Sequence, residues 1–275
     1  MRLATVRTAT GTAAVRVDAD RAIETGDADL GALLARPDWR ERAQTAQGRA
    51  HPVAGLDYAP LVPHPEKIVC VGLNYRGHIL EMGRDLPEFP TLFAKFPSSL
   101  IGAYDDIVLP SGSDSVDWEA ELAVVIGAPA RRVSAERAPD CIAGYSVLND
   151  ITARDWQFRT REWLQGKTFE HTTPLGPVLV TPDEARPGEI SCLVDGEPMQ
   201  RADTADLLFD AAALVAYVSQ IVTLRPGDVL ATGTPAGVGH GRDPRRYLAE
   251  GSVVTTRIDG IGECRNNCRR EKADA

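Results

Sequence analysis

What most constrains this chain is its punctuation. Short β-compatible runs, Ile68 to Leu73, Ala120 to Ile126, Ala143 to Leu148, Val178 to Thr181, Ile190 to Asp195, Asp228 to Thr232 and Val253 to Ile258, are separated almost everywhere by glycine or proline. With 24 Gly and 19 Pro in 275 residues, the regular strand–helix–strand alternation of a doubly wound fold is missing. A mostly antiparallel sheet structure is expected instead. Helical spacing is confined to Leu30–Leu34, to Tyr75–Met82 with Asn74 as N-cap and Gly83 as stop, and to Leu207–Ile221.

Residues 1–62 read as a small module, an alternating segment Leu3 to Arg7, a turn at Gly11, a second segment Ala13 to Val17 and then the first helix. Pro60, Pro63 and Pro65 interrupt regular structure and mark a linker, so a larger domain is expected over 63–275. The chain carries 39 acidic and 30 basic side chains, a formal charge of −9. Without a basic stripe interleaved with aromatics, neither nucleic acid nor an anionic membrane surface is the expected partner, and a small molecule is. No apolar run approaches the roughly 18 residues of a membrane span, and the N-terminus has no signal-peptide pattern, so a cytoplasmic protein is expected. The five cysteines are scattered; the Cys264/Cys268 pair lacks a second pair, which argues against zinc.

The acidic residues carry the strongest chemical signal. In Asp117-Trp118-Glu119-Ala120-Glu121-Leu122, the two-residue period of a strand puts Glu119 and Glu121 on one side, roughly 6–7 Å apart along the chain. Two such charges need a proton or a cation, and carboxylate oxygens suit a hard divalent ion such as Mg²⁺ or Mn²⁺. A solvated acidic face is the competing reading. Asp150, ending Val147-Leu148-Asn149-Asp150, is placed to supply a third oxygen ligand, leaving part of an octahedron open. Capping of a helix at Ile151 to Phe158 is its plainer explanation.

Other groups could act around such an ion. His78 and Glu81 stand three apart on the short helix, near enough for the carboxylate to orient the imidazole as a base; a surface pair is the alternative. Only four of the 30 basic residues are lysine, Lys67, Lys95, Lys167 and Lys272. A lysine retained in an arginine-rich chain suggests a need for a compact ammonium on a flexible stem. Lys167 in Gly166-Lys167-Thr168 could stabilise a developing oxyanion or simply be a loop lysine. Lys95, between apolar neighbours, could bury its stem and pair its head. The glycine-rich segment Thr232 to Gly239 can present backbone N–H groups to an anion, but has neither a Walker lysine nor dinucleotide spacing.

Taken in order, these motifs resemble the fumarylacetoacetate hydrolase superfamily, especially its smaller acylpyruvate hydrolase, oxaloacetate decarboxylase and hydroxymuconate isomerase branch. The resemblance runs from about Lys67 to Gly262 through Val71-Gly72-Leu73-Asn74-Tyr75, His78 with Glu81, Asp117 to Glu121, Asn149-Asp150 with Arg154-Asp155 and Gln157, Lys167, Pro174 to Pro177, and Thr232 to Pro235. It implies an α+β, mainly β fold, a mixed β-sheet sandwich or roll behind a small N-terminal α+β domain, assembled as a homodimer. It further implies Glu119, Glu121 and Asp150 as ligands of Mg²⁺ or Mn²⁺, His78 and Glu81 as a water-activating dyad on a mobile lid, and Lys167 as oxyanion partner. Arg154, Gln157, Gly233 and Thr234 would contact substrate. Two departures stand out: Glu170-His171 after the lysine, expected to alter the pocket, and the polar end Glu263 to Asn267, which puts the packing of the last strand in question.

The expected chemistry begins with a 2-oxo acid chelated through its carboxylate and 2-oxo oxygen, so that charge arriving at C3 is held as an enolate. Attack of water activated by His78 on a distal acyl group would cleave a carbon–carbon bond in an acylpyruvate-type 2,4-dioxo acid. Loss of CO₂ from a C3 carboxylate, as in an oxaloacetate decarboxylase, or proton relocation in a hydroxymuconate would use the same enolate. The retained His78 and Glu81 favour hydrolysis. A noncatalytic relative that binds a metal and a small acid is the expectation of another class.

Overall fold

The computed structural model describes residues 1–81, 83 and 85–272, without the side chains of His78 and Glu81. The spine is strand Ala120–Ile126, in which every residue is buried. Alternation along it assigns both faces. Ala120 and Leu122 pack towards a second sheet, and Val124 and Ile126 pack against helix Ala211–Ile221. Ala123 and Val125 join Leu30, Leu33, Leu34 and Trp39 of the N-terminal helices. A strand covered on both faces reads as a continuous apolar run, as this one does after Glu121.

This strand lies inside an 11-stranded sheet. On one side it pairs antiparallel with Ile142–Asn149, then Thr173–Val180, then Arg2–Thr8. On the other it pairs with Val229–Ala231, which runs parallel to Ile68–Gly72, itself antiparallel to Thr91–Lys95. The N-terminal 62 residues are thus hydrogen-bonded into this sheet, with Leu3 opposite Leu179. The second sheet has five strands in the order Glu197–Asp203, Glu189–Val194, Val253–Ile258, Gly262–Arg270 and Ile107–Leu109. Side chains from both sheets, among them Trp118, Val147, Ile190, Val254 and Cys264, fill the space between them. The mixed, mainly β architecture is the one anticipated.

Three local expectations change. The polar segment Glu263 to Asn267 is no weak end: strand Gly262–Arg270 pairs on both sides, turning Cys264, Asn266 and Cys268 inward and the charged residues outward. The long helix starts at Ala211 rather than Leu207, because the Asp210 side chain accepts from Ala213 N at 2.8 Å. Asp150 caps no helix, since the helix that follows it spans only Arg154–Gln157 behind Ala153.

Asn149 ties the sheets together at the point that matters most. Its Oδ1 accepts from Glu119 N at 2.8 Å, while its Nδ2 donates to Thr256 Oγ1 at 2.8 Å across the sandwich. All three residues are buried. Asn149→Ala strands a donor and an acceptor, each costing about 1–3 kcal/mol. A loss of about 2–4 kcal/mol is expected from the urea midpoint; a loss below about 0.5 kcal/mol would show that the amide is not the tie.

Candidate metal centre and active-site cavity

Strand register builds the centre. Ala120 pairs with Asn149, and Asp150 N donates to Glu119 O at 2.8 Å, so Glu119 and Asp150 face each other just beyond the paired ends. Glu121 follows two residues after Glu119 and falls on the same side. Oxygen atoms of Glu119, Glu121 and Asp150 lie within 4.8 Å of one another. Their exposures are 7%, 1% and 0%, which rules out a solvated acidic face.

Three buried cations surround them. Lys167 Nζ bridges Glu119 Oε2 at 2.7 Å and Asp150 Oδ2 at 2.8 Å. Lys95 Nζ holds Asp150 Oδ1 at 2.7 Å and donates to Ile151 O at 3.1 Å. Arg154 places Nη1 2.7 Å from Glu119 Oε1 and Nε 2.8 Å from Asp117 Oδ2. Among the described residues Glu121 has no ion-pair partner: its Oε2 accepts from Gly233 N at 2.7 Å. That bond needs glycine, for Gly233 has φ +98° and a Cβ there would lie 2.9 Å from Asn74 Cβ and Val71 O.

The protonation tendencies follow this layout. Burial pushes the Glu121 carboxyl well up, with Asp150 and Glu119 adding to the push. Burial also opposes ionisation of Asp150, but Lys167 and Lys95 outweigh it and hold its carboxyl below the usual range. Burial lowers and the carboxylates raise Lys167, with a net upward shift; Arg154 moves up for the same reason. Counting Asp117, four buried carboxylates face three buried cations. Among the described residues no cation pairs with Glu121, and burial favours its protonated form until a cation joins it. A cluster of convergent carboxylate oxygens, one of them without an ion-pair partner among the described residues, fits a hard divalent cation such as Mg²⁺ or Mn²⁺.

A cavity of about 470 Å³ opens onto the centre. Glu119, Glu121, Arg154, Gln157, Lys167 and Thr234 line it, with Phe93, Phe158 and Trp163 as apolar wall and His240 and Arg242 among the remaining lining residues. Asp150, fully buried, lies outside the wall. The residues anticipated as substrate contacts are brought together, though several are already engaged. Gln157 accepts from Arg154 Nη1 at 2.9 Å, Thr234 Oγ1 accepts from Gln200 Nε2 at 2.7 Å, and Gly233 N serves Glu121. Arg154 reaches Glu119 as well as the cavity. His78 and Glu81 lie on helix Arg76–Glu81, and their side chains fall outside the described residues. Glu170 and His171, expected to reshape the pocket, are exposed and absent from its wall.

Two anchors were not singled out for the site. Lys95 lies buried at the end of strand Thr91–Lys95, its scarcity as one of four lysines being the available signal. Asp117 accepts from Trp118 N, Gly239 N and His240 N at 2.7–2.9 Å as well as from Arg154, fastening the glycine-rich segment to the centre. Nothing local distinguishes Asp117 from its acidic neighbours, because its partners are distant in sequence.

The fold and centre define an enzyme-like scaffold that sets three convergent carboxylates, able to hold a hard divalent cation, at the floor of a mostly apolar cavity. The chain belongs to the fumarylacetoacetate hydrolase family: residues 67–269 match the Fumarylacetoacetate (FAA) hydrolase C-terminal model. Over 225 residues it is 45% identical to the oxaloacetate tautomerase Fahd2a, mitochondrial, of Rattus norvegicus, covering 80% of this chain and 72% of the relative. The crystal structure of 5-carboxymethyl-2-hydroxymuconate delta-isomerase from Mycobacterium smegmatis is similar at TM-score 0.84 and 33% identity, covering 98% of this chain and all of that one. The maleylpyruvate hydrolase of Sphingobium sp. SYK-6, solved with manganese (II) and pyruvate, is similar at TM-score 0.80 and 28% identity, covering 99% and 100%. Among the described residues no helix is long and apolar enough to cross a membrane.

Glu121→Gln keeps the shape and the hydrogen-bonding ability while removing the unbalanced charge. Without divalent ion its thermal midpoint should match or exceed that of the parent. Its Mn²⁺ affinity, read by titration calorimetry, should fall by at least about 100-fold, since even outer-shell changes cost 10–100-fold. Unchanged Mn²⁺ binding would remove Glu121 from the ligand set.

Proposed function

We propose that the chain is a divalent-metal-dependent enzyme that moves a proton at C3 of a 2-oxo acid, with keto–enol tautomerisation of an oxaloacetate-type acid as its reaction. The observation that carries this reading is Glu121, a buried carboxylate without a cation beside Glu119 and Asp150 at the floor of the cavity. The 45% identity to an oxaloacetate tautomerase supports the choice of reaction. A bound Mg²⁺ or Mn²⁺ would supply Lewis acidity to a chelated carboxylate and 2-oxo oxygen, making the C3 protons acidic; the proton lost from C3 would pass to water in the cavity and one would return from water to the 2-oxo oxygen, so keto and enol interconvert with no net gain or loss.

The chain's own residues supply the rest. Glu119, Glu121 and Asp150 would hold the ion. Lys167 draws on the same Glu119 and Asp150 oxygens, so its ammonium is the group with valency to turn to the oxygen where charge develops. Arg154 would orient the substrate carboxylate while Asp117 fixes its guanidinium. Lys95 keeps Asp150 ionised from outside the cavity wall. Phe93, Phe158 and Trp163 lower the local dielectric, which strengthens each of these interactions.

A second reading is hydrolytic cleavage of an acylpyruvate. Retention of His78 and Glu81 one helical turn apart on Arg76–Glu81 favours it, and so does the similarity to a maleylpyruvate hydrolase. Both readings use enol chemistry at C3 and differ in whether water attacks.

The test follows enol absorbance of oxaloacetate, with pyruvate measured in parallel, with and without Mn²⁺ and with Glu119→Ala as blank. Metal-dependent enol–keto exchange without pyruvate, lost in Glu119→Ala, is expected. Metal-dependent cleavage of acetylpyruvate or fumarylpyruvate, falling about 10²–10⁴-fold in His78→Ala, would favour hydrolysis. Flat traces on all substrates would overturn both readings.

A further inference from the structure

Resting on the oxaloacetate-type reading above, we propose that Arg242 and His240 are the specificity-determining residues that receive the substrate carboxylate farthest from the metal end of the cavity. The argument starts from what each cation around the cavity is already doing. Lys167 is shared between Glu119 and Asp150, and Arg154 between Glu119 and Asp117. Arg242 lines the same cavity and has no ion pair among the described residues. Its Nη2 donates to Met199 O at 2.8 Å and its Nε to Gly237 O at 3.4 Å. Two backbone carbonyls aim this guanidinium without neutralising it. N–H groups and a full positive charge remain for a ligand, and a planar fork suits a carboxylate.

His240 stands two residues away, also in the lining. Its Nδ1 contacts Tyr247 Oη at 2.9 Å and its ring lies 5.1 Å from that of Phe158, so the imidazole is held by partners at its edge and on its face. Nε2 is the ring nitrogen left for a ligand. Backbone placement is equally firm. Asp117 accepts from Gly239 N and His240 N with the same carboxylate that holds Arg154. One buried acid therefore sets the spacing between the metal end of the cavity and the Arg242 end.

Charge balance agrees. With all four carboxylates ionised, as a bound divalent ion would require, the cluster of four carboxylates and three cations carries one net negative charge. A divalent ion turns this into one positive charge, and Arg242 makes two. A dicarboxylate neutralises both, whereas a monocarboxylate leaves the Arg242 guanidinium without a counter-charge in a cavity with apolar walls.

Equilibrium binding tests the subsite apart from turnover. Malate and 2-hydroxybutanoate share one chelating head and differ in a carboxylate against a methyl group at the far end. With Mn²⁺-loaded full-length protein, calorimetry should give malate the tighter binding by about 10- to 100-fold, the scale of one charge-assisted contact. In Arg242→Gln that ratio should collapse towards one, and Arg242→Lys should recover part of it. Thermal unfolding of both variants checks that they are folded. Equal affinities in the parent, a ratio that survives in Arg242→Gln, or no binding of either acid would overturn the subsite. A malate preference lost in Arg242→Gln upholds it even if no 2-oxo acid is turned over, in which case only the reaction assignment falls.

Discussion

The structure is organised around a buried ion-pair cluster in which one carboxyl, Glu121, has no cationic partner among the described residues. Four carboxylates, Asp117, Glu119, Glu121 and Asp150, lie buried with Lys95, Arg154 and Lys167. Removing such groups from water costs several kcal/mol each after relaxation, and each must recover that cost from partners. Six of the seven do so through ion pairs at 2.7–2.8 Å. Glu121 has one backbone N–H. A carboxylate placed in this way destabilises the fold unless it takes up a proton or a cation joins it, which makes it evidence for function rather than for stability.

Much of the surrounding architecture acts to hold this imbalance in place. The pairing of Ala120 with Asn149 brings Glu119 opposite Asp150, and a one-residue slip would send Glu119 and Glu121 to the other face. Asn149 resists that slip by bonding Glu119 N and Thr256 from the second sheet. Gln200, also from the second sheet, accepts from Ala120 N at 2.9 Å and donates to Thr234 in the cavity wall. The strand carrying the ligands is thus fixed by amide side chains on both sides of its first residue.

The elements that could be read from sequence were those in which one short segment holds its own explanation. The alternating acids Glu119 and Glu121, the apolar run after them, Asp150 ending its strand and Gly233 in a turn all announce themselves locally. The run Ala120 to Ile126 became a strand of those bounds because both of its faces are covered. What could not be read depends on long-range contacts. The hold of Asp117 on Gly239 and His240 spans more than a hundred residues, as does the pairing of Leu3 with Leu179. Strand Gly262–Arg270 was doubtful because its polar residues alternate with cysteines and Asn266 rather than with large aliphatics, yet the period of two is intact. Lys95 illustrates the boundary: its scarcity was visible, but its bond to Asp150 required the fold.

The division of labour within the cavity explains how relatives of one fold come to be named for tautomerisation, isomerisation and hydrolysis. In the proposed reaction, proton loss at C3 would depend on groups at the floor, and those groups are locked together by ion pairs, so altering one disturbs the rest. The wall is different. Phe158, Trp163, Thr234 and Arg242 are half-buried or exposed, and none has an ion pair among the described residues. Exchanging Phe158, Trp163 or Arg242 breaks no ion pair among the described residues, and would change which group beyond C3 is accommodated. On the proposed reading chemistry is therefore tied to the buried charge cluster and substrate choice to the wall, and it is in the wall that Arg242 carries a charge without an ion pair among the described residues.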